Sequence, residues 1–103
     1  MRNRLRGTFL VNDMTAAEFA FQTIMGRKGV RLKWIGKNGT RFALNGTTYR
    51  PDFHCVGTRT YYEVAGTRQA YHANKEKYAM FRATYPNLTL KVVRPDGQEI
   101  QIP

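Results

Sequence analysis

The chain has 103 residues, 42% of them hydrophobic, which suits one compact domain and argues against intrinsic disorder. No apolar run approaches the ~18 residues of a membrane span, and the basic N-terminus lacks the following apolar segment of a signal peptide. The net charge is +10, and a single cysteine, Cys55, excludes an intrachain disulfide and suits a reducing cytoplasm.

The charge is uneven. Residues 1–50 carry ten basic side chains against Asp13 and Glu18, a balance of +8, while residues 51–103 carry seven against five, a balance of +2. A basic first half favours a polyanionic partner, with counterion release from nucleic acid as the driving force. A membrane surface fits less well, because no basic helix with a strongly apolar face is present.

Taken in order, Arg2, Arg4 and Arg6 alternate with Asn3 and Leu5 over residues 1–11, as in a basic arm or an edge strand. Asn12, Asp13 or Thr15 caps a helix predicted from Thr15 to Gly26. Thr15-Ala16-Ala17-Glu18 has the capping-box pattern, and Ala17, Phe21 and Ile24 share one face. Gly26 and Gly29 bracket the basic pair Arg27-Lys28. Four strands are predicted next. Val30, Leu32 and Trp34 alternate with Arg31 and Lys33; a hairpin turn at Asn38-Gly39 leads to Phe42 and Leu44, which flank Ala43 beside Arg41. A second turn at Asn45-Gly46 leads to a strand over residues 47–53, and residues 56–59 turn the chain into a strand over residues 60–65. One face of this meander reads as apolar; the other carries Arg31, Lys33 and Arg41.

Thr67 caps a second predicted helix, Arg68 to Tyr85. Its stripe of Tyr71, Tyr78, Phe81 and Tyr85 reads as core, with Arg68, Lys75 and Arg82 at seven-residue steps on another face. Pro86-Asn87 ends it. Leu88, Leu90 and Val92 mark a last strand, and the tail over residues 95–103 turns at Pro95-Asp96-Gly97 to pair as an edge. The order is α, four strands, α, β in a single domain over residues 1–103, an α/β (α+β) sandwich.

Asp52 and Glu63 are the acids with chemistry to offer. They lie on consecutive predicted strands, so their carboxylates can converge on one side, where a hard divalent cation relieves their repulsion. Period 2 places Tyr61, Glu63 and Ala65 on one face and Val64 on the other, with the Val64 carbonyl as a further oxygen ligand. A cation held there polarises a phosphodiester and activates water. His54-Cys55 with distant His72 is a weaker zinc pattern, short of thiolates. The plainer alternatives are a cap at Glu18, a turn at Asp52 and a solvated charge at Glu63.

Pro51-Asp52, an eleven-residue step to Glu63, then Val64, Ala65 and Gly66 resembles the PD-(D/E)xK nuclease motif of the restriction-endonuclease-like superfamily. The resemblance covers roughly residues 12 to 93 and implies an α-β-β-β-α-β sandwich, a central mixed sheet flanked by helices. It implies Mg²⁺, with Mn²⁺ as a substitute, held by Asp52, Glu63, the Val64 carbonyl and Glu18, and a polar residue near the phosphate at Gln69. It also implies DNA as partner, commonly with a homodimer, and no small-molecule cofactor beyond the metal. The lysine of the pattern is replaced by Ala65. An engineered substitution, migration of the role to Lys75 or Arg68, and a domain that only binds DNA are the three explanations.

The resulting expectation is a structure-selective metal-dependent DNA endonuclease acting on branched, junction or nicked DNA, as in phage DNA metabolism, weakened at Ala65. Arg2, Arg4, Arg6, Arg27, Lys28, Arg31, Lys33, Arg68, Lys75 and Arg82 would grip phosphates. The alternatives are a non-catalytic DNA-binding module and a basic interaction protein.

Overall fold

Thr15 begins the first helix because its side chain satisfies an orphan N–H. Its hydroxyl accepts from the Glu18 N–H at 3.1 Å, and the Glu18 carboxylate accepts from the Thr15 N–H at 3.0 Å. This computed structural model describes residues 14–101. The predicted arm with Arg2, Arg4 and Arg6, the alternative caps Asn12 and Asp13, and the last two residues lie outside the described residues. Helix α1 (Ala16–Arg27) runs one residue beyond the predicted stop at Gly26. It ends where Gly29 takes a φ of 82° and the Val30 N–H turns back to the Met25 carbonyl.

Strands β1 (Leu32–Trp34), β2 (Phe42–Leu44), β3 (Thr47–Tyr49), β4 (Phe53–Cys55) and β5 (Thr60–Val64) precede α2 (Arg68–Thr84), which is followed by β6 (Thr89–Val93) and β7 (Glu99–Ile100). The architecture is α+β: a mixed five-stranded sheet in the order β1-β4-β5-β6-β7, and a separate hairpin β2-β3. Strands β5 and β6 run parallel and the other neighbours antiparallel. The tail pairs as the expected edge strand, Val92 opposite Ile100.

Two expectations about the strands are corrected. Asn38-Gly39 does not pair β1 with β2; β1 instead pairs with β4, with Leu32 opposite Cys55 and Trp34 opposite Phe53. The reason lies at Ile35, which is buried and donates its N–H to the Asp52 carbonyl at 2.8 Å. The following turn closes back on Ile35 so tightly that a Cβ at Gly39 would fall 2.1 Å from the Ile35 Cβ. The predicted strand over residues 47–53 also breaks in two. Pro51 is buried and has no N–H to give a ladder, so β3 ends at Tyr49 and β4 starts at Phe53. Five strands, not four, therefore precede α2. The Asn45-Gly46 turn does form its hairpin, with Gly46 at φ 79°.

Both faces of the sheet are packed, which corrects the expectation of one solvated face. Phe21 of α1 meets Phe53 and Tyr62, joined by Met14 and Val93 and flanked by Trp34 and Val64. On the opposite face Tyr78 and Phe81 of α2 meet Tyr49, Leu44, Ala65, Leu90 and Val92. Alternation along β5 sends Tyr62 and Val64 to the α1 side, and Tyr61 and Ala65 to the α2 side. The predicted aromatic stripe of α2 is thus core. Arg31, Lys33 and Arg41 remain exposed at the periphery.

A candidate metal site at the Asp52–Glu63 strand junction

Asp52 lies where the β4–β5 ladder stops being regular. Its main chain is held on both sides: the N–H donates to the Tyr62 carbonyl at 3.0 Å, and the carbonyl accepts from Ile35. Its side chain then does a ladder's work, Oδ2 accepting the Val64 N–H at 2.8 Å. Pro51 makes this possible by ending the preceding strand. In an extended strand the N–H and C=O of one residue point to the same edge, so the Val64 carbonyl also faces the Asp52 side.

Glu63 sits one residue before Val64, half-buried on the α2 side. Its Oε1 accepts from the Tyr49 hydroxyl at 2.8 Å, which brings the hairpin to the site. Tyr49 packs in turn on Tyr78, with ring centroids 6.2 Å apart. Glu18 approaches from α1, its carboxylate held by the capping box. Helix, hairpin and two sheet strands thus each supply one side of the site.

The electrostatics record this crowding. Asp52 is pushed up to about 9, first by burial, then by the Glu63 charge and by a hydrogen bond shared with Glu18; the Val64 N–H opposes the rise. Glu63 is pushed up to about 7, by burial first, with the Glu18 charge adding to it and the Tyr49 hydroxyl and Lys77 opposing it. The Tyr49 hydroxyl is held far above its ordinary range by burial and by the Glu63 charge.

Both carboxyls therefore keep protons above the pH at which they lose them in the unfolded chain. Between those two limits the unfolded state binds fewer protons, so stability falls as pH rises. Metal-free protein is expected to be less stable at pH 8 than at pH 5, by several kcal/mol from this pair. Urea titrations in EDTA at the two pH values measure it, and Asp52→Asn should remove the larger part of the difference, leaving that of Glu63. An undiminished difference would place its origin elsewhere.

Among the described residues no group of three or more His, Cys, Asp or Glu side chains is placed to hold a metal ion. Glu18, Asp52 and Glu63 act on one another's charge, yet one oxygen each of Glu18, Asp52 and Glu63 is engaged by Thr15, Val64 and Tyr49 respectively. The donor set still fits Mg²⁺, which takes one or two carboxylates and fills its remaining positions with water and phosphate oxygens. The zinc pattern fits less: His54 Nε2 contacts the Thr58 carbonyl at 2.8 Å and its ring stacks on Tyr61, while His72 is exposed on α2.

The other predicted residues fall around this centre. Ala65 is buried at 4% exposure on the Glu63 face and borders a cavity of about 500 Å³. Gln69 and Arg68 are exposed in the first turn of α2, and Lys75 is exposed one turn and more further on. The cation that acts on Glu63 is Lys77, which the seven-residue spacing of Arg68, Lys75 and Arg82 does not include. The signal was present: Lys77 directly precedes Tyr78, so it flanks the buried face of α2. Arg27, Lys28, Arg31 and Lys33 are exposed around the C-terminal end of α1 and along β1, and Arg82 is exposed near the end of α2.

No family model, curated protein or solved structure matches the chain.

Proposed function

We propose that this protein is a metal-dependent endodeoxyribonuclease of the PD-(D/E)xK type, with its lysine position vacant at Ala65. The observation that carries the reading is the pairing of Asp52 and Glu63 across a broken ladder, both half-buried and crowded enough to retain protons. The chain order supports it: a helix, three antiparallel sheet strands β1, β4 and β5, a helix, then β6 parallel to β5, with the hairpin inserted after β1. In that scheme Asp52 precedes the second strand and Glu63 lies on the third.

Asp52, Glu63 and the Val64 carbonyl would hold Mg²⁺ or Mn²⁺, with Glu18 assisting. When bound, the ion supplies Lewis-acid polarisation of a phosphodiester and a more acidic water. The chain's own part is positional. The Val64 N–H fixes Asp52, the Tyr49 hydroxyl fixes Glu63, and the capping box aims Glu18. Lys77 places positive charge on the Glu63 side, so the migrated lysine role falls to Lys77 rather than to Lys75 or Arg68. The exposed basic residues would hold the DNA backbone, and a homodimer would supply two cuts.

Titration calorimetry with Mn²⁺ tests the reading. Asp52→Asn and Glu63→Gln are each expected to weaken binding at least about tenfold, and Glu18→Gln less. Undiminished binding in both strand variants would overturn it. DNA binding that depends on salt and ignores Mg²⁺ would instead support the non-catalytic module.

A further inference from the structure

The cavity beside Ala65 lies between the start of α2 and the turn that joins β6 to β7, and Asp52 and Glu63 are not among its walls. Its volume of about 500 Å³ is in the range of small-molecule sites. Arg68 and His72 enter from α2, Arg94 from the end of β6, and Tyr71 with Ile100 supplies an apolar wall. The single acid there, Asp96, is committed to its own turn, where Oδ1 accepts the Gln98 N–H at 2.9 Å. Tyr71 is anchored by its hydroxyl to the Gln101 carbonyl at 3.3 Å and by ring contact with Tyr78. The cavity is thus lined by two arginines and a fixed aromatic ring, with Arg68 and Tyr71 on one helix and Arg94 on the facing turn.

We propose that this cavity binds a nucleoside phosphate group, presented as the terminal nucleotide of a DNA strand. Guanidiniums take phosphate oxygens by paired charge-assisted hydrogen bonds, and an aromatic wall accepts a base without regard to its identity. The position favours a strand end over a free nucleotide, and this part rests on the function proposed above. Ala65 is two residues beyond Glu63 on the same face of β5, about 7 Å along the strand. A strand leaving the cavity along this face would run toward the two acids.

Fluorescence anisotropy in EDTA tests this with single-stranded oligonucleotides that carry a 5′-phosphate, a 3′-phosphate or hydroxyls at both ends. One phosphorylated end is expected to bind about tenfold more tightly than the hydroxyl form. Arg94→Ala should abolish that preference, with fold retention checked by circular dichroism, and Arg94→Lys should restore part of it. A competition arm with thymidine monophosphate separates the sources: it should displace the phosphorylated strand only at much higher concentration. Binding of DNA without any end preference overturns the cavity proposal and leaves the nuclease reading standing. Arg94-dependent binding of the mononucleotide with no DNA binding overturns the strand-end assignment and counts against the nuclease reading as well.

Discussion

Ala65→Lys is expected to raise Mg²⁺-dependent DNA cleavage at least about 100-fold over the chain as it stands, since a positioned proton-handling group typically contributes 10²–10⁴. The physical case rests on the face and the space. Position 65 lies just past β5 on its Glu63 side and borders a cavity whose walls do not include Asp52 or Glu63, so a lysine there must turn back along the strand to reach them. Its ammonium would sit beside the acids, stabilise developing charge and orient the attacking water. Supercoiled plasmid and branched duplexes with Mg²⁺ are the substrates to assay. Adding Asp52→Asn to the lysine variant should return cleavage to background. Whatever activity the unaltered chain has should fall on Lys77→Met. Ala65 is buried, so circular dichroism must first show that the lysine variant folds. A folded variant with no added cleavage, beside an unaltered chain indifferent to Lys77→Met, would sink the nuclease reading.

The largest stability loss is expected at Phe81. Its side chain is fully buried, and it contacts the rings of Phe42, Tyr49, Tyr61 and Tyr85 at centroid distances of 5.0, 5.6, 6.4 and 5.3 Å. Truncation to alanine leaves a cavity among those rings and should cost about 3–5 kcal/mol, a large part of the ~5–15 kcal/mol that holds a small domain. The β2-β3 hairpin gives the number its meaning. It forms a sheet of its own and joins the α2 face through Phe42, Leu44 and Tyr49, with the Tyr85 hydroxyl donating to the Ala43 carbonyl at 2.7 Å. Loss of Phe81 should therefore also loosen Tyr49 and, through it, Glu63. Urea unfolding measures the first effect and Mn²⁺ calorimetry the second. Phe19→Ala is the control: that ring is 51% exposed and its loss should stay within about 0.5 kcal/mol. A Phe81→Ala cost as small as that of Phe19→Ala would mean that the hairpin is held by something other than this cluster.

The two effects meet at one point. The site is built by four segments that approach from different directions, and only one of its acids is held mainly by its own element. Glu18 is fixed within α1 by a local capping box. Asp52 and Glu63 are fixed by groups twelve and fourteen residues away in sequence. A mutation in the aromatic cluster can therefore reach Glu63 without touching it, because Tyr49 packs on Phe81 and donates to the Glu63 carboxylate.

The amino-acid sequence by itself determined what short-range chemistry controls. Thr15 with Glu18, and Thr67 with its N–H partner three residues on, are caps whose pattern is written in four residues. Asn45-Gly46 demands a tight turn wherever it occurs between apolar strands. The eleven-residue step from Asp52 to Glu63, and the alanine at 65, were equally plain, because period 2 fixes which residues of a strand share a face. Only the tertiary structure decided the partners. Asn38-Gly39 carries the same turn signal as Asn45-Gly46, yet burial of Ile35 and its hydrogen bond to Asp52 draw β1 to β4 instead. In sequence Pro51 reads as part of a strand; in the structure it is buried without an N–H to give, and the strand divides there. Lys77 acquires its place near Glu63 from the docking of α2, and the cavity at Ala65 arises between two stretches distant in sequence, residues 65–72 and 94–100. Local signals say what a segment can be; which neighbour it meets depends on long-range burial, which no short window of sequence contains.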